Sequence, residues 1–261
     1  MSSPVMANYQ LLKILTLREI RERYLSSIGG FAWVVVIPLA QLAIYAFVFT
    51  RILQIRIPDA ETTGFVPFLA VALWPWTAFS DGLTRGTTAI TENQALIGKV
   101  AVPHAVLVLS NVTAAFCLAL AGYVAVLLVM ALLGVHIHLL GLLVSVWVLL
   151  QIYLLTLALA LFCAAVQVFM RDLSHALTPL LMLGFFATPI LYSLEMVPTA
   201  YRGWLSLNPF SYFVDRLRDG LLGGQWHWGL QDWVMPLAVL IMLGLGYAFF
   251  KRLSPRFEDF L

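Results

Sequence analysis

Apolar residues in this chain run in long blocks separated by short polar stretches, and six of the blocks reach or approach the length of a membrane-crossing helix. They fall at about 28–53, 65–80, 104–135, 139–169, 173–194 and 233–250. About 20 apolar residues carry a helix across the hydrocarbon core. Backbone groups facing lipid must be paired within their own segment, so every block is expected to be helical. The pattern predicts an all-α, polytopic integral membrane protein, with residues 28–261 forming a six-span transmembrane domain.

Three segments fit neither span nor plain loop. Within the N-terminal stretch 1–27, residues 8–24 are too charged to span. Leu11, Leu12, Ile14 and Leu15, then Leu17, Ile20 and Tyr24, nevertheless give each half an apolar face. A helix lying at the membrane interface suits them, with Arg18, Arg21 and Arg23 near anionic headgroups; a solvated charged leader is the competing reading. In the second loop, Thr91 and Gln94 match a capping box and Gly98 supplies a stop, which predicts a short cytoplasmic helix within 91–98. Its Leu96 and Ile97 either dock a cytosolic partner or pack on neighbouring helix ends.

The third segment, 195–232, contains a capped helix. Asn208 serves as the cap and Pro209 as the first turn. Phe210, Phe213, Val214, Leu217 and Leu221 share one face, while Asp215, Arg218 and Asp219 share the other. Gly220 or the Gly223-Gly224 pair ends it. A half-polar helix of about 15 residues cannot span. It is expected to be external and re-entrant or interfacial, against the alternative of an ordinary surface-loop helix.

Composition agrees with the pattern. Of 261 residues, 62% are hydrophobic and 11% charged, against about 25% charged in soluble domains. The first apolar run follows a charged stretch and is too long for a signal peptide's core, so it is expected to remain as a span. Cys117 and Cys163 lie in spans without metal-type spacing and read as packing residues. His136 and His138, in the link between the third and fourth blocks, make a poor chelate alone. They read as an interfacial turn in a helical hairpin, and no metal site is expected. A net charge of +2 is too small to suggest nucleic acid.

Alternate loops divide the Lys and Arg residues unequally. Lys13, Arg18, Arg21, Arg23, Arg85, Lys99, Arg171, Lys251, Arg252 and Arg256 fall on one side, and Arg51, Arg56, Arg202, Arg216 and Arg218 on the other. Both termini are therefore expected to be cytoplasmic. The spans contain no ionisable group of the kind an intramembrane enzyme or a proton-driven transporter would use. Their polar residues, among them Gln41, Asn111, Gln151, Thr156 and Gln167, are neutral and suit contacts between helices.

Nor does Gly98-Lys99 form a phosphate-binding loop, so any ATP must be bound by another chain. Pro38, Pro75, Pro179 and Pro189 interrupt spans and free carbonyls that neighbours or a polar cavity must satisfy. The aromatics Trp33, Tyr45, Trp74, Trp76, Tyr192, Trp204 and Tyr212, with Phe213, read as interface anchors or as flat faces along which a sugar chain could slide.

The order of features resembles the type-2 ABC exporter permeases that move O-antigen and capsular polysaccharides. The carriers are 17-LREIRERY-24 before the first span, Trp33 and Pro38 within it, and Pro75-Trp76 in the second. Glu92-Asn93 with Leu96-Ile97 and Lys99 follow, then 169-FMRDL-173, 188-TPILY-192, Pro198 and Asn208-Pro209. The resemblance implies a homodimer in the bacterial cytoplasmic membrane, joined to two cytosolic ATPase subunits that bind ATP and Mg. It places coupling at Glu92, Asn93, Leu96, Ile97, Lys99, Arg171 and Asp172, and a polymer exit at the external helices. Envelope components beyond the membrane would be periplasmic or outer-membrane export proteins. Teichoic-acid, lipid and drug exporters share the fold and form the alternative.

Overall fold

The computed structural model describes residues 4–24, 29–54, 64–97, 102–224 and 228–260, and all regular structure among them is helical. The helices are α1 (Pro4–Tyr24), α2 (Ala32–Phe47), α3 (Phe65–Glu92), α4 (Gln94–Ile97), α5 (His104–Leu132), α6 (Leu139–Phe169), α7 (Leu173–Phe186), α8 (Thr199–Ser206), α9 (Pro209–Arg218) and α10 (Gln231–Leu253). A π turn, Val48–Ile52, extends α2 and another, Asp219–Gly223, extends α9. A 3-10 turn, Ser254–Asp259, follows α10.

Helix α3 is the centre of the bundle, lying between α5 and α6 with most of its residues buried. Small residues permit the approach: a Cβ on Gly86 would sit 2.6 Å from the Ala160 Cβ, and one on Gly82 would sit 3.0 Å from Thr156 Cγ2. Gly82 and Gly86, one turn apart on α3, face Thr156 and Ala160, one turn apart on α6. Such small-residue crossings let packing and close backbone approach hold helices together where lipid removes the hydrophobic drive. The opposite side of α6 receives α10, whose Gly246 would place a Cβ 2.4 Å from the Ala158 carbonyl oxygen. Helices α1 and α2 lie on α5, and α9 with its π turn lies on α6.

Two proline breaks meet on α5. Pro75 cannot donate to Val71, and the freed Val71 carbonyl accepts the Tyr123 hydroxyl at 3.3 Å. The adjacent residue, Gly122, makes room for α2, since a Cβ there would lie 2.8 Å from Pro38 Cγ and 3.0 Å from the Val34 carbonyl oxygen that Pro38 leaves unbonded.

Four helical stretches are long and apolar enough to cross a membrane: Ala32–Ile52, His104–Leu132, Leu139–Phe169 and Gln231–Phe257. The expected second and fifth spans differ from their sequence reading. Helix α3 does not stop near residue 80 but continues through Asp81 and Arg85 to Glu92, 28 residues in all. Helix α7 ends at Phe186 after 14 residues, because Thr188-Pro189 breaks it while the apolar run goes on.

Candidate functional site

One end of the bundle gathers α4, the α6–α7 corner, the C-terminal half of α1 and the turn after α10. Arg23 Nη2 donates to Asp81 Oδ2 at 2.6 Å and Arg85 Nε to Asp81 Oδ1 at 2.9 Å, fastening α1 to α3. Arg18 pairs with Glu22 at 2.7 Å along α1, and Arg21 is exposed. Burial pushes the Glu19 carboxyl above its ordinary range, and the nearby Glu92 charge adds to the shift. The N-terminal helix therefore reaches the start of the expected coupling segment. Tyr24 is the last residue of α1.

That segment is built differently from its sequence reading. Thr91 is not a cap: it lies within α3, and its hydroxyl donates to the Thr88 carbonyl. Glu92 closes α3, and the chain turns at buried Asn93, whose Nδ2 donates to the Ala89 carbonyl at 2.9 Å. Four residues, Gln94–Ile97, form α4 against that turn, with Leu96 and Ile97 half-buried and packed on the core. Glu92 is exposed; Gly98 and Lys99 lie outside the described residues. At the neighbouring corner Arg171 and Asp172 are exposed, held by Gln167, whose Nε2 donates to the Arg171 carbonyl and whose Oε1 accepts from the Ser174 amide, each at 2.9 Å.

The opposite end holds the broken helices. Asn208 joins two of them: its Oδ1 accepts from the Phe210 amide to start α9, while its Nδ2 donates to the Ala187 carbonyl and to Thr188 Oγ1 at the end of α7. The apolar face read from the sequence is buried in full, from Phe210 through Phe213, Val214 and Leu217 to Leu221. The element ends at Gly224, in the left-handed region at φ 63°, and Gly220 lies inside it. Gly220 serves packing instead: a Cβ there would lie 3.0 Å from Val144 Cγ1 of α6, and one on Gly141 would collide with the Gly220 carbonyl. The His138 amide donates to the Leu221 carbonyl at 3.1 Å, tying the π turn to the α5–α6 hairpin.

Arg218 does not lie on an outer polar face. Its Nη1 and Nη2 donate to the Pro189 and Ile190 carbonyls at 2.8 and 2.9 Å and its Nε to the Phe68 carbonyl at 3.2 Å, with the guanidinium 3.3 Å from the Phe68 ring centroid. Asp232, 1% exposed at the start of α10, accepts from Arg216 on both oxygens, from the Tyr212 hydroxyl at 2.9 Å and from the Gly229 amide at 2.7 Å. Desolvation and the Asp232 hydrogen bond push the Tyr212 phenol up to about 12, so it stays a donor. The sequence reading missed this network because its members sit on α9 and at the start of α10, beyond the reach of helical spacing.

The eight singled-out aromatics divide. Trp74, Trp76, Tyr212 and Phe213 are buried, and Trp76 packs edge-on against Phe185 and Phe210. Those four pack in the chain's own interior. Tyr45 and Tyr192 are half-buried, the latter donating to the Phe186 carbonyl, while Trp33 on α2 and Trp204 on α8 are exposed, Trp204 at 78%.

Comparison with known proteins agrees with this architecture. The chain is 25% identical over 253 residues to an O-antigen export system permease of Klebsiella pneumoniae, covering 97% of this chain and 95% of the relative. It is 36% identical over 209 residues to an O-antigen export system permease of Myxococcus xanthus, 76% of this chain and 75% of the relative. A polysialic acid transport protein of Escherichia coli is 26% identical over 242 residues, 92% of each. Residues 10–222, which run from α1 to the π turn after α9, match the ABC-2 type transporter family, and the chain belongs to that family of membrane permeases.

Proposed function

We propose that the chain is the membrane subunit of an ATP-driven exporter that carries a capsular or O-antigen polysaccharide, lipid-linked, across the bacterial cytoplasmic membrane. The observation that carries this reading is near end-to-end similarity to permeases named for O-antigen and polysialic acid transport. Two copies form the permease, and two cytosolic ATPase subunits hold the ATP and Mg. Helices α3 and α7 supply the crossings beyond the four apolar ones. At 28 residues α3 is about 42 Å long, and α7 at 14 residues is about 21 Å. The 187–192 turn would complete the shorter crossing, with α9 as the re-entrant element above it.

Both termini lie in the cytoplasm in this reading, so α4 and the α6–α7 corner face the ATPases. The half-exposure of Leu96 and Ile97 supports a shared role, one face packing inward and the other meeting the partner. Exposed Trp33 and Trp204 are the aromatics best placed for weak, repeated contact with a moving glycan, as conduction requires.

Deleting the gene is expected to remove surface polysaccharide and leave the lipid-linked precursor inside the cell, with recovery on re-expression. Normal surface glycan together with altered drug sensitivity would replace this reading with a small-molecule exporter on the same fold.

A further inference from the structure

Beside α10 two cavities share Ala105 and Tyr247 and form one crevice. The inner part, about 470 Å³, is lined by Leu109, Leu161, Leu240 and Leu243 from α5, α6 and α10, and Tyr247 brings its only hydroxyl. The outer part, about 620 Å³, opens at the α4 end beside Ile97, His104, Lys251 and Ser254. There His104 Nδ1 and Ser254 Oγ are 2.8 Å apart, and Lys251 is exposed with no ion pair to any described residue. An apolar slot thus runs into a polar mouth beside an exposed lysine.

We infer that this crevice binds an anionic membrane phospholipid, one acyl chain in the slot and the headgroup phosphate at Lys251 and the His104–Ser254 pair. All three walls are helices long and apolar enough to cross a bilayer, so the slot's open side meets acyl chains. Its mouth falls where a lysine stem extends along apolar surface to place its ammonium among headgroups. Arg252 and Arg256 stand on the same short stretch, and basic residues at that depth attract anionic lipid. The site requires only that the helices lie in a bilayer, whatever cargo the transporter moves.

Gly244 gives a clean test, since it lines the slot and has nothing within 4 Å of where a Cβ would stand. A larger side chain there fills the slot without displacing protein. The full-length permease is placed in nanodiscs of phosphatidylcholine carrying a trace of photoactivatable phosphatidylglycerol, and adducts are mapped by mass spectrometry. Adducts are expected on residues 102–109 and 240–254, displaced more readily by unlabelled phosphatidylglycerol than by phosphatidylcholine. Lys251→Gln should lower the yield about fivefold, and Gly244→Leu should lower it by filling the slot, while thermal melting stays unchanged.

If Gly244→Leu fails to fold, Lys251→Gln decides alone. Equal competition by the two lipids, or yields unmoved by the folded variants, overturns the assignment. Displacement by a polyprenyl phosphate ahead of phosphatidylglycerol also overturns it and gives the crevice to the carrier of the exported polymer.

Discussion

Breaking a helix at Pro189 frees carbonyl oxygens that lipid cannot hydrogen-bond, and Arg218 supplies donors to two of them and to Phe68. A lysine ammonium is a point charge and cannot reproduce this planar fork. Arg218→Lys should therefore cost about 1–3 kcal/mol for each carbonyl it abandons, read as a lower melting temperature of the purified permease; an unchanged transition would show that the fork is dispensable. Asp232→Ala takes from the half-buried Arg216 its nearest carboxylate, leaving the 3.6 Å pair with Asp219, and is expected to cost about 3 kcal/mol, read as a lower melting temperature. Asn208 was legible in the sequence because a cap and its target lie two residues apart. Arg218 and Asp232 were not, because their partners are brought to them by topology, from as far as 150 residues away at Phe68.

At the scale of elements, helix α6 begins and ends where its apolar block does, since polar links flank both ends. Helix α7 does not, because hydropathy passes over Thr188-Pro189 unchanged while backbone geometry stops there. The Thr91–Gln94 pattern misled because Thr91 lies in the last turn of α3 and the break falls after it, at Asn93, so the two residues sit on different helices. The Gly82–Gly86 pair was a usable signal for the α3–α6 crossing. Gly86→Ala should cost about 1–3 kcal/mol by overpacking against Ala160. Adding Ala160→Gly should recover part of that loss, so a double-mutant cycle with zero coupling energy would refute the contact as the cause.

Over the whole molecule, the two ends are distinct in construction. The α4 end is held by partly exposed ion pairs and by the buried side-chain caps Asn93 and Gln167, and the α9 end by the buried Asp232 carboxylate and by donors serving broken backbone. Replacing both Leu96 and Ile97 with Asp is expected to abolish co-purification of the ATPase while the permease still inserts; undiminished export would remove α4 from the coupling path. Helix α3 joins the ends, running from the Phe68 carbonyl under Arg218 to the Asn93 turn.

Its one internal weakness is Pro75, where Tyr123 takes the freed Val71 carbonyl, next to the glycine that receives Pro38. The two proline sites therefore rest on adjacent residues of α5, and whatever shifts one bears on the support of the other. Tyr123→Phe, which removes the donor to the Val71 carbonyl, should loosen the hold of each end on the motion of the other.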